Sequence, residues 1–94
     1  MKVFWASAAE QDRAAIIDYI GQDNPLAAIR MDELFAEAAG HLAEHPLLGK
    51  TGLIPGTREL IPHESYRLVY EVQDNTVWIL ALVHTARMWP PRRP

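Results

Sequence analysis

The feature that most constrains this chain is a pair of strand-like runs, Ser65–Val72 and Thr76–His84, joined through Asp74-Asn75. Both runs are rich in β-branched and aromatic residues, and Asp and Asn tolerate the positive φ that a two-residue turn demands. The stretch therefore reads as an antiparallel hairpin in which Gln73 opposes Thr76. On that register Val72 meets Val77, Tyr70 meets Ile79, Leu68 meets Ala81 and Tyr66 meets Val83, all on one face. This face is apolar apart from the phenol hydroxyls, so helices should cover it. The other face carries Ser65, Arg67, Val69 and Glu71 against His84, Leu82, Leu80 and Trp78. Arg67 and His84 become diagonal neighbours there, roughly 7–8 Å apart at the backbone. A small helix-covered sheet normally leaves such a face polar. Trp78, Leu80 and Leu82 break that rule, so another segment, another chain or a ligand should cover this face.

The remaining elements follow from local signals. Lys2–Ala6 is β-branched and aromatic and reads as a first strand. Ser7 and Glu10 have capping-box spacing and open a helix with Ile16, Ile17 and Ile20 on its apolar stripe, Ala9 and Arg13 earlier on it, and Gly21 as terminator. Asn24-Pro25 starts a second helix. Met31, Leu34, Phe35, Ala38 and Leu42 line it, and it ends near His45, before Pro46. Gly40 inside it suggests close helix contact. Pro46–Gly56 has loop composition. Thr57–Ile61 is a strand broken by Pro62. The order is β-α-α-β-β-β, an α+β fold with a helical hairpin packed on one face of a small, mostly antiparallel sheet.

With 94 residues, about half of them apolar, the chain reads as one globular domain, residues 88–94 (MWPPRRP) forming a surface tail. It has no cysteine, which removes thiolate chemistry and disulfides and fits a reducing cytoplasm. No secretory signal and no membrane-length apolar run is visible. The net charge of −3 argues against indiscriminate nucleic-acid coating. The stretch from Lys50 onward is slightly basic and leaves room for a local basic site.

Five side chains resist a packing explanation: Arg58, His63, Arg67, His84 and Arg87. Plain roles compete with functional ones. Arg67 pairs with Glu71 or Glu64, Arg58 with Glu59 or Glu64, His84 caps a strand end, and His63 is a loop residue after Pro62. Tyr66, Tyr70, Phe4 and Trp5 read as core. His41 and His45 have helical spacing but no third ligand, so no metal site is expected, and no cofactor.

In the order strand, SAAEQDRAAIIDYI, LAEHPLLGK, GTRELIPHESYRLVYEV and LVHTARMWP, nearly the whole chain resembles the RelE/ParE superfamily, the toxins of bacterial type II toxin–antitoxin pairs. The resemblance implies a cognate antitoxin as partner, resting on Leu80, Leu82, Trp78 and Trp89. It implies one of two targets. A RelE-like enzyme would cut mRNA on the translating ribosome without metal, Arg67 and Arg87 stabilising the phosphate and His84 moving a proton. Arg58, Lys50 and His63 would contact the target. A ParE-like chain would instead poison DNA gyrase. The RelE pattern has further lysines ahead of the strand arginine, where this chain has only Lys50, and Trp89 replaces a late tyrosine. Those departures favour the ParE-like reading. An inactive antitoxin-binding module is the third possibility.

Overall fold

The computed structural model describes residues 1–91. The elements are β1 (Lys2–Trp5), α1 (Ser7–Asp23), α2 (Pro25–Glu44), β2 (Lys50–Thr51), β3 (Arg58–His63), β4 (Tyr66–Gln73) and β5 (Thr76–His84). The strands form one sheet in the order β1-β5-β4-β3-β2. β1 runs parallel to β5, and every other pair is antiparallel. The α+β class and the helical hairpin on one sheet face are as expected. The two-residue strand β2 lies in the stretch expected to be loop, and β3 continues through Pro62 to His63. A register shift between Leu60 and His63 accommodates the proline, which has no ladder donor.

Helix boundaries correct the sequence reading in two places. Ala6, not Ser7, is the N-cap of α1, and no side chain caps it. The Ala6 amide donates to Ile79 O (2.8 Å), so strand pairing holds the backbone extended through Ala6 and Ser7 falls inside the first turn. Nor does Gly21 end the helix. The Asn24 amide donates to Ile20 O (2.9 Å), while Asn24 Oδ1 accepts from the Ala27 amide (3.0 Å), so Asn24 closes α1 and caps α2 together. The glycine at the helix contact is Gly21, whose added Cβ would meet Ala28 Cβ at 3.7 Å; nothing lies within 4 Å of a Cβ at Gly40. Arg13 ties the helices by donating from Nε to Asp32 Oδ1 (2.7 Å) and lies over the Trp5 ring at 4.7 Å.

The core joins Ala9, Phe35, Ala38, Ala39 and Leu42 of the helices to Tyr66, Leu68, Tyr70, Val77, Ile79 and Leu82 of the sheet. Asp74 and Asn75 have φ of 53° and 61°, the left-handed pair the hairpin turn requires. Up to Tyr70 facing Ile79 the hairpin register is the expected one. Val69 then faces Ala81, Leu68 faces Leu82, Arg67 faces Val83 and Tyr66 faces His84. Leu80 is therefore the extra residue of a β-bulge, which a pattern of alternating apolar residues does not reveal. Beyond it the faces of β5 exchange, so Leu82 replaces Ala81 beneath the helices.

Two glycine substitutions separate crowding from helix propensity. Gly40→Ala should raise stability by about 0.5–1 kcal/mol, since the site is exposed and unobstructed. Gly49→Ala places a Cβ 2.8 Å from both Glu59 O and Tyr70 Cε1 and should lower stability by about 1–3 kcal/mol. Urea denaturation of both variants reads the opposite signs.

Candidate functional site

The bulge decides which candidate residues share a surface. Arg67 and His84, expected on one face, lie on opposite faces. His84 shares the helix-covered face with its partner Tyr66, the rings meeting edge-on at 5.4 Å. Tyr66 is also edge-on to Phe35 at 5.6 Å and lies 6.2 Å from His63. Each histidine caps a turn. His63 Nδ1 accepts from the Ser65 amide (3.0 Å) and His84 Nδ1 accepts from the Ala86 amide (3.0 Å). Thr85 reinforces the second turn by donating its amide to Ser65 O (2.8 Å) and its hydroxyl to Glu64 O (2.9 Å).

A groove of about 790 Å³ opens beside this cluster, between α1 and the end of β5. Asp12, Ile16 and Tyr19 form one wall, Leu82 and His84 the floor, and Arg87, Met88 and Trp89 the far side. It exists because β1 stops at Trp5, opposite Ile79, while β5 runs on to His84. Asp12 Oδ2 accepts the Leu82 amide (3.0 Å), supplying the acceptor that a neighbouring strand would otherwise provide. Thus His84, Arg87 and Trp89 come together. The expected tail is part of this wall as far as Pro91; residues 92–94 lie outside the described residues.

On the opposite face Arg67 Nη1 lies 3.3 Å from Glu59 Oε1. Glu59 is only 4% exposed, and its Oε2 accepts the Leu53 amide (3.1 Å). The partner of Arg67 is therefore neither Glu71 nor Glu64. Arg67 Nε is buried without a hydrogen-bond partner among the described residues. A buried carboxylate needs a compensating cation, so this arginine answers a structural requirement. Lys50 is exposed and faces Glu59 in the β2–β3 register. Arg58 faces Tyr70, on the helix-covered side, and donates from Nη1 to Gly49 O (2.8 Å).

The residues expected to form one apolar partner surface also separate. Leu82 is buried in the core, because the bulge turns it under the helices. Trp78 stays on the open face, where it stacks on Phe4 with centroids 5.3 Å apart. Phe4, expected in the core, is half exposed there. Leu80 is half-buried at the bulge, and Trp89 lies in the groove. Asp12 and Glu59 were not expected at the site. Their acidic side chains resemble solvated surface charge in a sequence, and only the register shows what they cap or compensate.

Comparison with known proteins gives this geometry a context. Residues 3–89 match the family model described as the ParE toxin of the type II toxin–antitoxin system parDE. The chain is 41% identical over 87 residues to toxin RelE2 of Caulobacter vibrioides, covering 93% of this chain and 98% of that protein. Among solved structures it is similar to the chromosomal ParDE toxin–antitoxin system of P. aeruginosa, with a TM-score of 0.79 at 22% identity over 89% of this chain and 95% of that one. The YoeB-YefM complex of Staphylococcus aureus aligns with a TM-score of 0.62 at 19% identity, over 89% and 95% of the two chains. The chain belongs to the ParE toxin family and is a type II toxin of the RelE/ParE superfamily.

Proposed function

We propose that this toxin acts in the cytoplasm as a ParE-like poison of DNA gyrase, silenced by a cognate antitoxin, and does not cut mRNA. The observation that carries this reading is the separation of Arg67 from His84 by the bulge, together with the compensation of Arg67 by Glu59. RNA cleavage of the kind considered above needs a free cation and a proton-transfer group converging on one phosphate. Here the arginine is held by a buried carboxylate on one face, and the histidine caps a turn on the other. Proximity effects are steep in distance, so residues divided by a sheet do not act on one bond.

The antitoxin reading rests on surface chemistry. The stacked Phe4–Trp78 pair, with Leu80 beside it, offers aromatic surface on the open face, and Trp89 offers it in the groove. Fixed aromatic surface of this kind favours protein partners. Lys50 is the best placed of the expected target-contacting cations, since Arg58 and His63 are engaged in internal hydrogen bonds. The endoribonuclease reading retains one specific support: His84 and Arg87 line the same groove, and the Nε2 of His84 is not used by its turn bond. On that reading these two would carry the chemistry without Arg67.

Arg67→Ala should lower stability by about 3 kcal/mol, because it strands a buried carboxylate, and adding Glu59→Gln should recover most of the loss; denaturant titration measures both. An arginine used only for phosphate binding would be removed with no stability change. Purified toxin should inhibit gyrase supercoiling or trap its cleavage complexes while transcripts on translating ribosomes stay intact. Cut transcripts with normal supercoiling would reverse the assignment.

A further inference from the structure

The turn bonds of the two histidines fix more than backbone. The Ala86 amide donates to His84 Nδ1 (3.0 Å), and the Ser65 amide donates to His63 Nδ1 (3.0 Å). A ring nitrogen that accepts carries no proton, so a neutral imidazole held this way bears its hydrogen on Nε2. His84 is exposed and lines the groove beside α1. Its Nε2–H is therefore a donor there, and a nitrogen that already carries hydrogen does not act as a base.

The other polar groups of the groove have the same character. The Arg87 side chain is exposed in the lining. The ion pairs among the described residues are Arg13 with Asp32 and Arg67 with Glu59, so Arg87 stands uncompensated. The Nε1–H of Trp89 is buried and has no hydrogen-bond partner among the described residues. A buried donor of this kind calls for an acceptor. Asp12 is the one carboxylate of the lining, and its Oδ2 already accepts the Leu82 amide (3.0 Å). The phenols of Tyr19 and Tyr66 suit either role. Three donors, one of them cationic, thus share a groove whose single acid is engaged. The complementary ligand is an anionic acceptor, a carboxylate or a phosphate.

The surroundings choose between these two. Nucleic-acid binding neutralises several phosphates with several cations, whereas here one arginine stands with Ile16, Leu82 and Met88. The floor is the edge of β5 beyond Ile79, which has no strand neighbour. An extended peptide lies along such an edge and points alternate side chains to one side. Among proteins, the antitoxin is the partner that every reading of this toxin's target requires. We propose that an extended segment of the antitoxin occupies the groove, with an Asp or Glu carboxylate set against Arg87 and the Nε2–H of His84. A peptide oxygen of the same segment satisfies Trp89 Nε1. The inference rests on the antitoxin reading above.

The test measures binding of purified cognate antitoxin by titration calorimetry to wild type, Arg87→Glu and, as a control of equal charge change, Arg30→Glu on the exposed surface of α2. Tm confirms folding. Arg87→Glu should bind at least about tenfold more weakly, while the control matches wild type. At least one Asp→Arg or Glu→Arg variant of the antitoxin should bind Arg87→Glu more tightly than the unchanged antitoxin does. Long-range 15N–1H spectra of the free toxin should show the Nε2–H tautomer at His84. Unchanged affinity of Arg87→Glu, equal weakening by the control, failure of every charge-reversed antitoxin to rescue, or an Nδ1–H tautomer overturns the site and leaves the antitoxin reading standing. A single-stranded RNA oligonucleotide whose binding requires Arg87 would assign the groove to phosphate, and self-association lost in Arg87→Glu would assign it to a second copy of the chain. Either result overturns the proposal. Wild-type toxin that does not bind the antitoxin contradicts the antitoxin reading and this site with it.

Discussion

One extra residue in β5 organises this molecule. The bulge at Leu80 exchanges the faces of the strand half-way along, placing Leu82 rather than Ala81 under the helices. It also turns His84 toward Tyr66 and leaves Arg67 opposite Val83. Because β1 has already ended, the outer edge of β5 needs another partner, and Asp12 of α1 accepts the Leu82 amide. Bulges commonly re-aim side chains near functional sites. Here the bulge turns His84 toward the groove that the early end of β1 opens and leaves Arg67 on the other face.

A second constraint lies at the other side of the sheet. Tyr70 is fully buried, and its hydroxyl bridges Pro46 and Gly49. Gly49 is required where the ring approaches, and Arg58 and Glu59 complete the attachment of the segment. A buried phenol must find partners, and here the partners are backbone groups of a surface segment. Core satisfaction and surface rigidity are thus one set of hydrogen bonds. The pairing of Glu59 with Arg67 belongs to the same set and gives this strand arginine a structural role.

Much of the fold was legible in the sequence. Asp74-Asn75 specified the hairpin turn, Asn24-Pro25 the start of α2, and the spacing of Phe35, Ala38 and Leu42 its buried face. The failures share a cause. Ser7 looked like a cap because capping spacing is local, while the true boundary depends on Ala6 pairing with Ile79. Gly40 and Gly21 could not be told apart, because neighbours across a helix hairpin are a tertiary property. Alternation alone predicts one parity along β5, and a single inserted residue inverts it for everything after Leu80. The candidate site depends on the same parity: alternation alone puts Arg67 and His84 on one surface, and the bulge separates them.

The central claim is the register of β4 against β5 beyond the bulge. Nuclear Overhauser contacts across the hairpin in the folded protein read it directly. Cross-strand contacts of Leu68 with Leu82 and of the Tyr66 ring with the His84 ring are expected, with no side-chain contact between Arg67 and His84. Contacts pairing Leu68 with Ala81 and Tyr66 with Val83 would show an uninterrupted hairpin. They would restore Arg67 and His84 to one face and remove the observation on which the proposed ParE-like function rests.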